Sequence, residues 1–245
     1  EDFAPFLVNV TTVEPPNFNN GAALNVSIGG GGAWLGDVAG GVAYVDSFTN
    51  SIVNTVYVFS DNLGNGWPKY VADAAAHEAG HTFSLSHDGT ASASYYGGHG
   101  TWGPIMGTPY SRAVTQWSRG QYPGANNTTE DDLAEIGSRG GYRPDDHADT
   151  SAGATIVSVG TRSGFIGVGS DVDVFRFTPT GNATRVTVTT PPPATNLLAR
   201  LTVRDDVGNI VTEMEPSLVS GWSLAADVPA SAGAFTVEVS PTSWL

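Results

Sequence analysis

The first half of the chain alternates strand-like and helix-like stretches. Four segments are rich in β-branched and aromatic residues and are bounded by Gly, Pro or Asn, the pattern typical of β-strands. They are residues 6–13, 23–30, 40–48 and 54–60. The sequence therefore predicts a sheet in this half.

The hydrophobic period changes at Pro68. Proline suits the first turn of a helix, and Ala, Leu and Phe dominate from there to Leu85, so we expect a helix over residues 68–85. A Gly-rich stretch without clear periodicity follows, to about residue 127. We then expect a short helix capped by Thr128 or Thr129, with an acidic first turn and an end at Gly140 or Gly141.

From about Asp149 onward the pattern contains strands only. Short apolar stretches recur between turns, as in a β-sandwich; they are residues 154–160, 173–179, 184–190, 198–205, 209–214 and 234–240. We therefore expect two domains, an α+β domain over residues 1–145 and an all-β, jelly-roll-like sandwich over residues 146–245.

Composition narrows the possible partners. The chain has 245 residues, of which 40% are apolar, enough for two hydrophobic cores. Its net charge of −14 repels nucleic acid and anionic membrane surfaces, and no apolar run is long enough to span a bilayer. We expect a monomer. The chain opens abruptly at Glu1, so we expect an upstream signal peptide and pro-segment, and hence a truncated N-terminus.

Without cysteine, only histidines and carboxylates remain as strong metal ligands. In "HEAGHTFSLSHD", residues 77–88, His77 and His81 lie four apart and so share one face of a helix. Glu78 can then reach a water bound to the same metal ion. His87 can join them only if the chain turns sharply after Phe83. This set favours zinc.

An ordinary buried helix with three satisfied histidines is the alternative. It would have to bury three imidazoles and a carboxylate, each with a hydrogen-bond partner, because unpaired buried polar groups are costly. A further alternative keeps the metal and uses Asp88 in place of His87 as the third ligand.

The segment resembles the HExxHxxGxxHD motif of the metzincin zinc endopeptidases. The resemblance implies that His77, His81 and His87 bind zinc and that Glu78 polarises the catalytic water. A methionine in a tight turn lies beneath the metal in this family, and "WGPIMGTPY" supplies Met106. The resemblance covers about residues 1–140.

Two positions depart from the family pattern. Ser84 stands where the family has Gly, so either Ser84 adopts a strained turn conformation or the turn is built differently. Some members also carry a zinc-binding Tyr two residues after the methionine, where this chain has Thr108. Tyr110 is out of register and is not expected to be a ligand. Whether Tyr110 or His99 contributes to the site in another way stays open.

The resemblance further implies a twisted mixed sheet whose edge strand aligns an extended substrate. Our candidates for that edge are Gly41, Val42, Ala43 and Tyr44, with an ordinary internal strand as the alternative. Residues 109–122 would form a wall of the substrate pocket. Asp88 would tether local backbone or a ligand imidazole.

The second domain resembles the bacterial pre-peptidase C-terminal domain, a β-sandwich appended to secreted proteases. The matching stretches are residues 171–181, 196–211 and 228–240. Carboxylates in this region could bind Ca²⁺ or simply cap turns; they are Asp145, Asp146, Asp149, Asp171 and Asp173.

Together these features predict a secreted, extracellular zinc endopeptidase of bacterial type that acts on proteins or peptides. The rival function is a metal-containing binding module, for glycan or protein, in which the sandwich carries the function. Glu78 argues against that rival, because a structural zinc site has four protein ligands and needs no general base.

Overall fold

A computed structural model of the chain describes residues 1–52, 54–158, 160–179, 183–190, 196–216, 223–230 and 233–242. The chain divides into two compact units. The first comprises residues 6–142 with Asp2, and the second comprises the described residues from Arg143 onward with Glu1 and residues 3–5. Among the described residues, no helix is long and apolar enough to cross a membrane.

A three-stranded mixed sheet forms one layer of the first unit. Its strands are β1 (Asn25–Ile28), β2 (Gly41–Val42) and β3 (Thr55–Val58), in the order β1-β3-β2. β1 runs parallel to β3, whereas β2 runs antiparallel to it. The central strand is β3, so β2 lies at an edge of the sheet.

The strand predicted over residues 6–13 is wrong. Phe6 forms an isolated bridge with Tyr142, but Leu7, Val10 and Val13 are exposed and belong to no strand. Apolar alternation does not make a strand where no neighbouring strand pairs with it, because the backbone groups gain no ladder of hydrogen bonds.

Helix α1 (Pro68–Thr82) packs against this sheet. It begins at the proline, as predicted, and ends three residues before the predicted Leu85. Ala74 of α1 shares a hydrophobic cluster with Val58 of β3 and with Leu63. The small side chain of Ala74 allows close approach to the sheet, and Glu78 of the same helix lies against Gly41 of the edge strand.

The rest of the first unit contains β4 (Trp102–Pro104), β5 (Val114–Gln116) and α2 (Asp132–Gly140). β4 and β5 pair in parallel. The predicted cap of α2 at Thr128 or Thr129 is wrong: Asp131 caps the helix, and its carboxylate accepts from the Ala134 N–H at 3.2 Å. The predicted end is confirmed, since Gly141 follows the helix at φ 74°.

The described residues of the second unit form strands in two sheets. One sheet has the order β10-β9-β12-β7-β6 and the other pairs β11 with β8. The strands are β6 (Thr155–Ile156), β7 (Asp173–Phe177), β8 (Thr184–Val188), β9 (Ala199–Arg204), β10 (Ile210–Met214), β11 (Leu224–Val228) and β12 (Phe235–Pro241).

Buried residues of both sheets form one hydrophobic cluster, which includes Leu201 and Val237 of the larger sheet and Leu224 and Val228 of the smaller. The six predicted strand stretches each contain a strand. β11 was missed, because Ala and Asp at its centre have low strand propensity. Parts of the stretches compared with the pre-peptidase domain, residues 180–181 and 231–232, lie outside the described residues.

Candidate metal centre

His77 and His81 lie one turn apart on α1, with ring centroids 4.9 Å apart. The Nδ1 atom of His77 lies 2.8 Å from the Ile105 carbonyl oxygen, and that of His81 lies 2.8 Å from the Leu85 carbonyl oxygen. A carbonyl can only accept, so each Nδ1 carries the proton. Each Nε2 therefore carries a lone pair instead of a proton, the arrangement that metal-binding histidines use.

The turn after α1 depends on Ser84. This residue has φ 77°, in the left-handed region that glycine favours. The Ser84 N–H donates to the His81 carbonyl at 2.9 Å, and the Leu85 N–H donates to the Gly80 carbonyl at 3.2 Å. Of the two possibilities at this position, the structure shows the first: serine adopts the strained conformation, and the chain doubles back there.

The turn returns His87 to the face of α1. Its Nε2 atom lies 3.0 Å from Nε2 of His81, and one nitrogen from each of the three histidines lies within 4.8 Å of the others. Zinc binds imidazole nitrogens at about 2.0–2.1 Å, so two tetrahedral ligands stand about 3.4 Å apart. The spacing fits one shared ion. The potential ligand group includes His87 and not Asp88.

Burial keeps these imidazoles neutral. Desolvation lowers the pKa of His77 to about 3, and it also lowers the pKa values of His81 and His87. Neutral imidazole is the form that binds metals. The donor set therefore fits zinc in chemistry as well as in spacing.

Glu78 follows His77 on α1 and lies against the edge strand. Its side chain is buried, and desolvation raises its pKa to about 7. A Cβ atom on Gly41 of β2 would stand 2.6 Å from Glu78 Cγ and 2.7 Å from Glu78 Oε1. The carboxyl group therefore lies directly against β2, and only glycine fits there.

Met106 is fully buried in a turn closed by a 3.0 Å hydrogen bond from the Gly107 N–H to the Pro104 carbonyl. A Cβ atom on Gly80 would stand 2.7 Å from the Met106 sulfur, so the thioether packs directly on α1. The Met106 carbonyl accepts from the Asp88 N–H at 2.9 Å. The turn is thus joined to the segment that carries His87.

The Asp88 carboxyl group is buried away from solvent. Tyr122 Oη lies 3.5 Å from Oδ1, and Oδ2 has no hydrogen-bond partner among the described residues. Burial and the nearby Glu130 raise its pKa to about 7. The contacts described for this carboxyl group are with Tyr122 and Ser118 rather than an imidazole, so its predicted tethering role stays a prediction.

The proposed substrate edge is only partly a strand. Gly41 and Val42 form β2, whereas Ala43 and Tyr44 follow it without strand pairing, and Tyr44 is exposed. The edge position of β2 agrees with the predicted placement. Its contact with substrate stays a prediction.

Tyr95 was missed by the sequence analysis. Its ring centroid lies 4.3 Å from that of His87 and 6.2 Å from that of His77. It stands in the Gly-rich stretch without periodicity, where the only signal is the paired tyrosine of "SYYGG". Burial and then Glu78 raise the pKa of Tyr95, which places its hydroxyl in the electrostatic field of the site.

Tyr110 and His99 occupy different positions. Burial and then Glu78 raise the pKa of Tyr110 to about 12, so this residue also borders the site. It does not belong to the potential ligand group. His99 lies outside that group too, with its Nδ1 atom 3.0 Å from Tyr96 Oη.

Comparison with known protein families gives a match. Residues 11–88 match the family model of the M12B reprolysin-like metallo-peptidases. The matched range ends at Asp88, so it includes Glu78 and all three clustered histidines. The match covers less than half of the chain. It supports metalloprotease activity, and the family implies that the metal is zinc. No curated protein matches the chain.

Proposed function

We propose that the chain is a zinc-dependent endopeptidase of the metzincin type. The observation that carries this proposal is the convergence of three neutral imidazoles within 4.8 Å, beside a buried glutamate that is not one of the potential ligands. A purely structural zinc site would need a fourth protein ligand and no such acid.

In this proposal His77, His81 and His87 hold the ion. Zinc, when bound, lowers the pKa of a coordinated water and polarises the scissile carbonyl group. Glu78 accepts a proton from the attacking water and passes it to the leaving amine. Burial raises the pKa of this carboxyl group, and a bound cation nearby would lower it again and favour the ionised form that acts as the base.

The substrate would be an extended peptide paired with β2. An edge strand offers free backbone donors and acceptors, and an added strand satisfies them. Because Gly41 lies against Glu78, a peptide on this edge would bring its backbone close to the carboxyl group. Residues 109–122 would form a pocket wall, and Met106 would support the site from below.

The cellular location, the oligomeric state and the role of the second unit are also proposals. We infer a secreted, extracellular and monomeric enzyme that cleaves proteins or peptides. The second unit would be an accessory domain like the bacterial pre-peptidase C-terminal domain. The two-sheet architecture of that unit supports the comparison with this domain, and secretion is inferred from the comparison.

Two substitutions separate metal binding from catalysis. Glu78→Ala removes the base and leaves all three imidazoles, so zinc should stay while peptide hydrolysis falls by about 10²–10⁴-fold or more. His81→Ala should lose zinc and activity together. The measurements are zinc content by atomic emission and hydrolysis of a peptide library.

His99→Ala is the matched control, because His99 is an exposed histidine outside the ligand group. It should keep both zinc and activity. A chelator should abolish hydrolysis by the unmodified chain, and added zinc should restore it. Near-native activity of Glu78→Ala, or loss of its zinc to the same extent as in His81→Ala, would contradict the proposed role of Glu78.

A further inference from the structure

A second group of potential ligands lies in the second unit. Asp145, Asp171 and Asp173 each offer one carboxylate oxygen, and these oxygens all lie within 4.8 Å of one another. Asp171 is 7% exposed and Asp173 is 4% exposed, whereas Asp145 is open to solvent. Carboxylates so deeply buried are uncommon unless they are paired.

The two buried carboxylates lack the partners that burial requires. Oδ1 of Asp171 and Oδ1 of Asp173 are both inaccessible, and neither has a hydrogen-bond partner among the described residues. The other oxygen of Asp171 accepts from the Gly167 N–H. Neither residue forms an ion pair with Lys or Arg in the part of the chain that the structure describes. Buried carboxylate oxygens without a partner are energetically costly, and a bound cation would remove this cost.

Further negative charge surrounds the pair. Burial, followed by the charge of Asp146, raises the pKa of Asp173 to about 7, although His147 opposes this rise. Burial also raises the pKa of Asp171; the hydrogen bond from Gly167 opposes this rise, and the charges of Asp145 and Asp149 add to it. Asp149 also accepts from the Val172 N–H at 2.9 Å, which holds its segment beside the start of β7. A cation would relieve this repulsion.

His147 does not complete an alternative site. It is grouped with Asp146 and Asp173, but its Nε2 atom lies 3.2 Å from the Ser163 carbonyl and its Nδ1 atom lies 2.9 Å from Thr155 Oγ1. A carbonyl only accepts, so Nε2 carries a proton, and Nδ1 is occupied by the hydroxyl. The available donors are therefore oxygens alone, the ligands that Ca²⁺ prefers over zinc.

We propose that Asp145, Asp171 and Asp173 form a calcium site in the second unit. Ca²⁺ binds oxygens at about 2.3–2.6 Å, so opposed ligands of one ion stand up to about 5 Å apart. Mg²⁺ demands near-ideal octahedral geometry and keeps several of its waters, so a group of protein carboxylates favours Ca²⁺. A bound ion would link the segment containing Asp145 to the first residue of β7.

Calcium titration of the intact, zinc-loaded chain tests the site. Calorimetry with CaCl₂ should show one ion bound per chain, with a dissociation constant of about 0.1–1 mM, as in extracellular calcium modules. At 10 mM calcium the ratio of folded to unfolded second unit should then rise by about tenfold to a hundredfold. Asp171→Asn and Asp173→Asn should each weaken calcium binding at least tenfold.

Asp206→Asn is the control, because it removes the same charge from an exposed loop position of the same unit and should bind calcium normally. In calcium-free buffer Asp173→Asn should unfold at or above the temperature of the unmodified chain, since it removes a buried charge. This result separates a lost ligand from a lost fold. The proposal is overturned if no calcium binds up to 10 mM, if the two site variants bind like the unmodified chain, or if Mg²⁺ binds as tightly as Ca²⁺.

Discussion

At the scale of single residues, the candidate centre depends on the backbone of Ser84. Its positive φ reverses the chain after α1, and only that reversal places the third imidazole beside the first two. A left-handed conformation costs an L-residue about 1–2 kcal/mol, which the rest of the unit must offset. The site therefore contains local strain at its turn.

Ser84→Gly should stabilise the first unit. Glycine adopts positive φ freely, although its greater freedom in the unfolded chain cancels part of the gain. We expect the free energy of unfolding to rise by about 0.5–1 kcal/mol, with unchanged zinc content. Ser84→Ala is the control: it removes the hydroxyl but keeps the strain, and should give no gain. Equal stabilisation by both variants would contradict this account. The free energies of unfolding of the two variants are measured by chemical denaturation.

Asp132 provides a pH-dependent test. Its carboxyl group is 1% exposed and accepts from the Ser118 N–H at 2.9 Å; burial and then Asp88 raise its pKa well above the ordinary value of 3.8. A carboxyl group whose pKa is raised by folding favours the folded state at low pH. That contribution is lost as the pH rises above the pKa that the carboxyl group has in the unfolded chain.

Asp132→Asn should therefore gain stability relative to the unmodified chain as the pH rises above about 4. The difference in unfolding free energy should grow by up to about 1.4 kcal/mol per pH unit, because one proton is involved. Urea denaturation at a series of pH values measures it. A difference that stays constant or shrinks with rising pH would show that ionisation of Asp132 does not destabilise the folded state.

The sequence predicted the residues of the centre that are close together along the chain. His77 and His81 follow from helical periodicity, which is local, and Glu78 follows from its place beside them. Tyr95 and the Ile105 carbonyl could not be predicted, because they reach the site through long-range packing. The conformation of Ser84 stayed undecided, since serine occurs in several kinds of turn.

At the scale of elements, the edge strand β2 differs from its prediction in length. The sequence marked residues 40–48, yet only Gly41 and Val42 pair with β3. Local propensity indicates where extended backbone can occur, and pairing decides where it becomes a strand. The same rule explains why residues 6–13 form no strand. It also explains why β11 forms one despite its weak propensity.

Gly41→Ala should reduce hydrolysis without removing zinc. The new Cβ atom would stand 2.7 Å from the Tyr57 carbonyl oxygen as well as close to Glu78, so either β2 or the carboxyl group must move. A shift of about 1 Å near reacting groups can cost about a hundredfold in rate. We expect a loss of at least about tenfold in kcat/KM.

Gly31→Ala is the matched control, because its Cβ atom would meet only ordinary contacts, at 3.7–3.8 Å. It should retain activity. If Gly41→Ala hydrolyses peptides as well as Gly31→Ala does, the close approach of β2 to Glu78 is not needed for catalysis.

At the scale of the whole molecule, the proposed chemistry belongs to one unit. The residues of the centre, from His77 to Met106, lie in the first unit, as do the described hydrogen-bond partners of its histidines. The proposed calcium site lies in the second unit. Sequence periodicity predicts an α+β half and a strand-only half, because that contrast extends over many residues; the domain boundary after residue 145 stays a prediction.

Ending the chain after residue 145 should leave peptide hydrolysis within about tenfold of the intact chain. This limit corresponds to about 1.4 kcal/mol of transition-state stabilisation. The comparison uses kcat/KM on a short peptide, with circular dichroism to confirm that the shortened chain is folded. Complete loss of activity by a folded, zinc-loaded fragment would show that the second unit takes part in the chemistry.

The three clustered imidazoles come from one short segment, residues 77–87. Ligands so close along the chain can also gather around an ion before the unit folds. Zinc would then bind the unfolded chain as well as the native one, and any affinity for the unfolded chain reduces the stability that a ligand confers. Tight zinc binding therefore need not bring a large rise in unfolding temperature. For the same reason the chain can bind the metal early in folding.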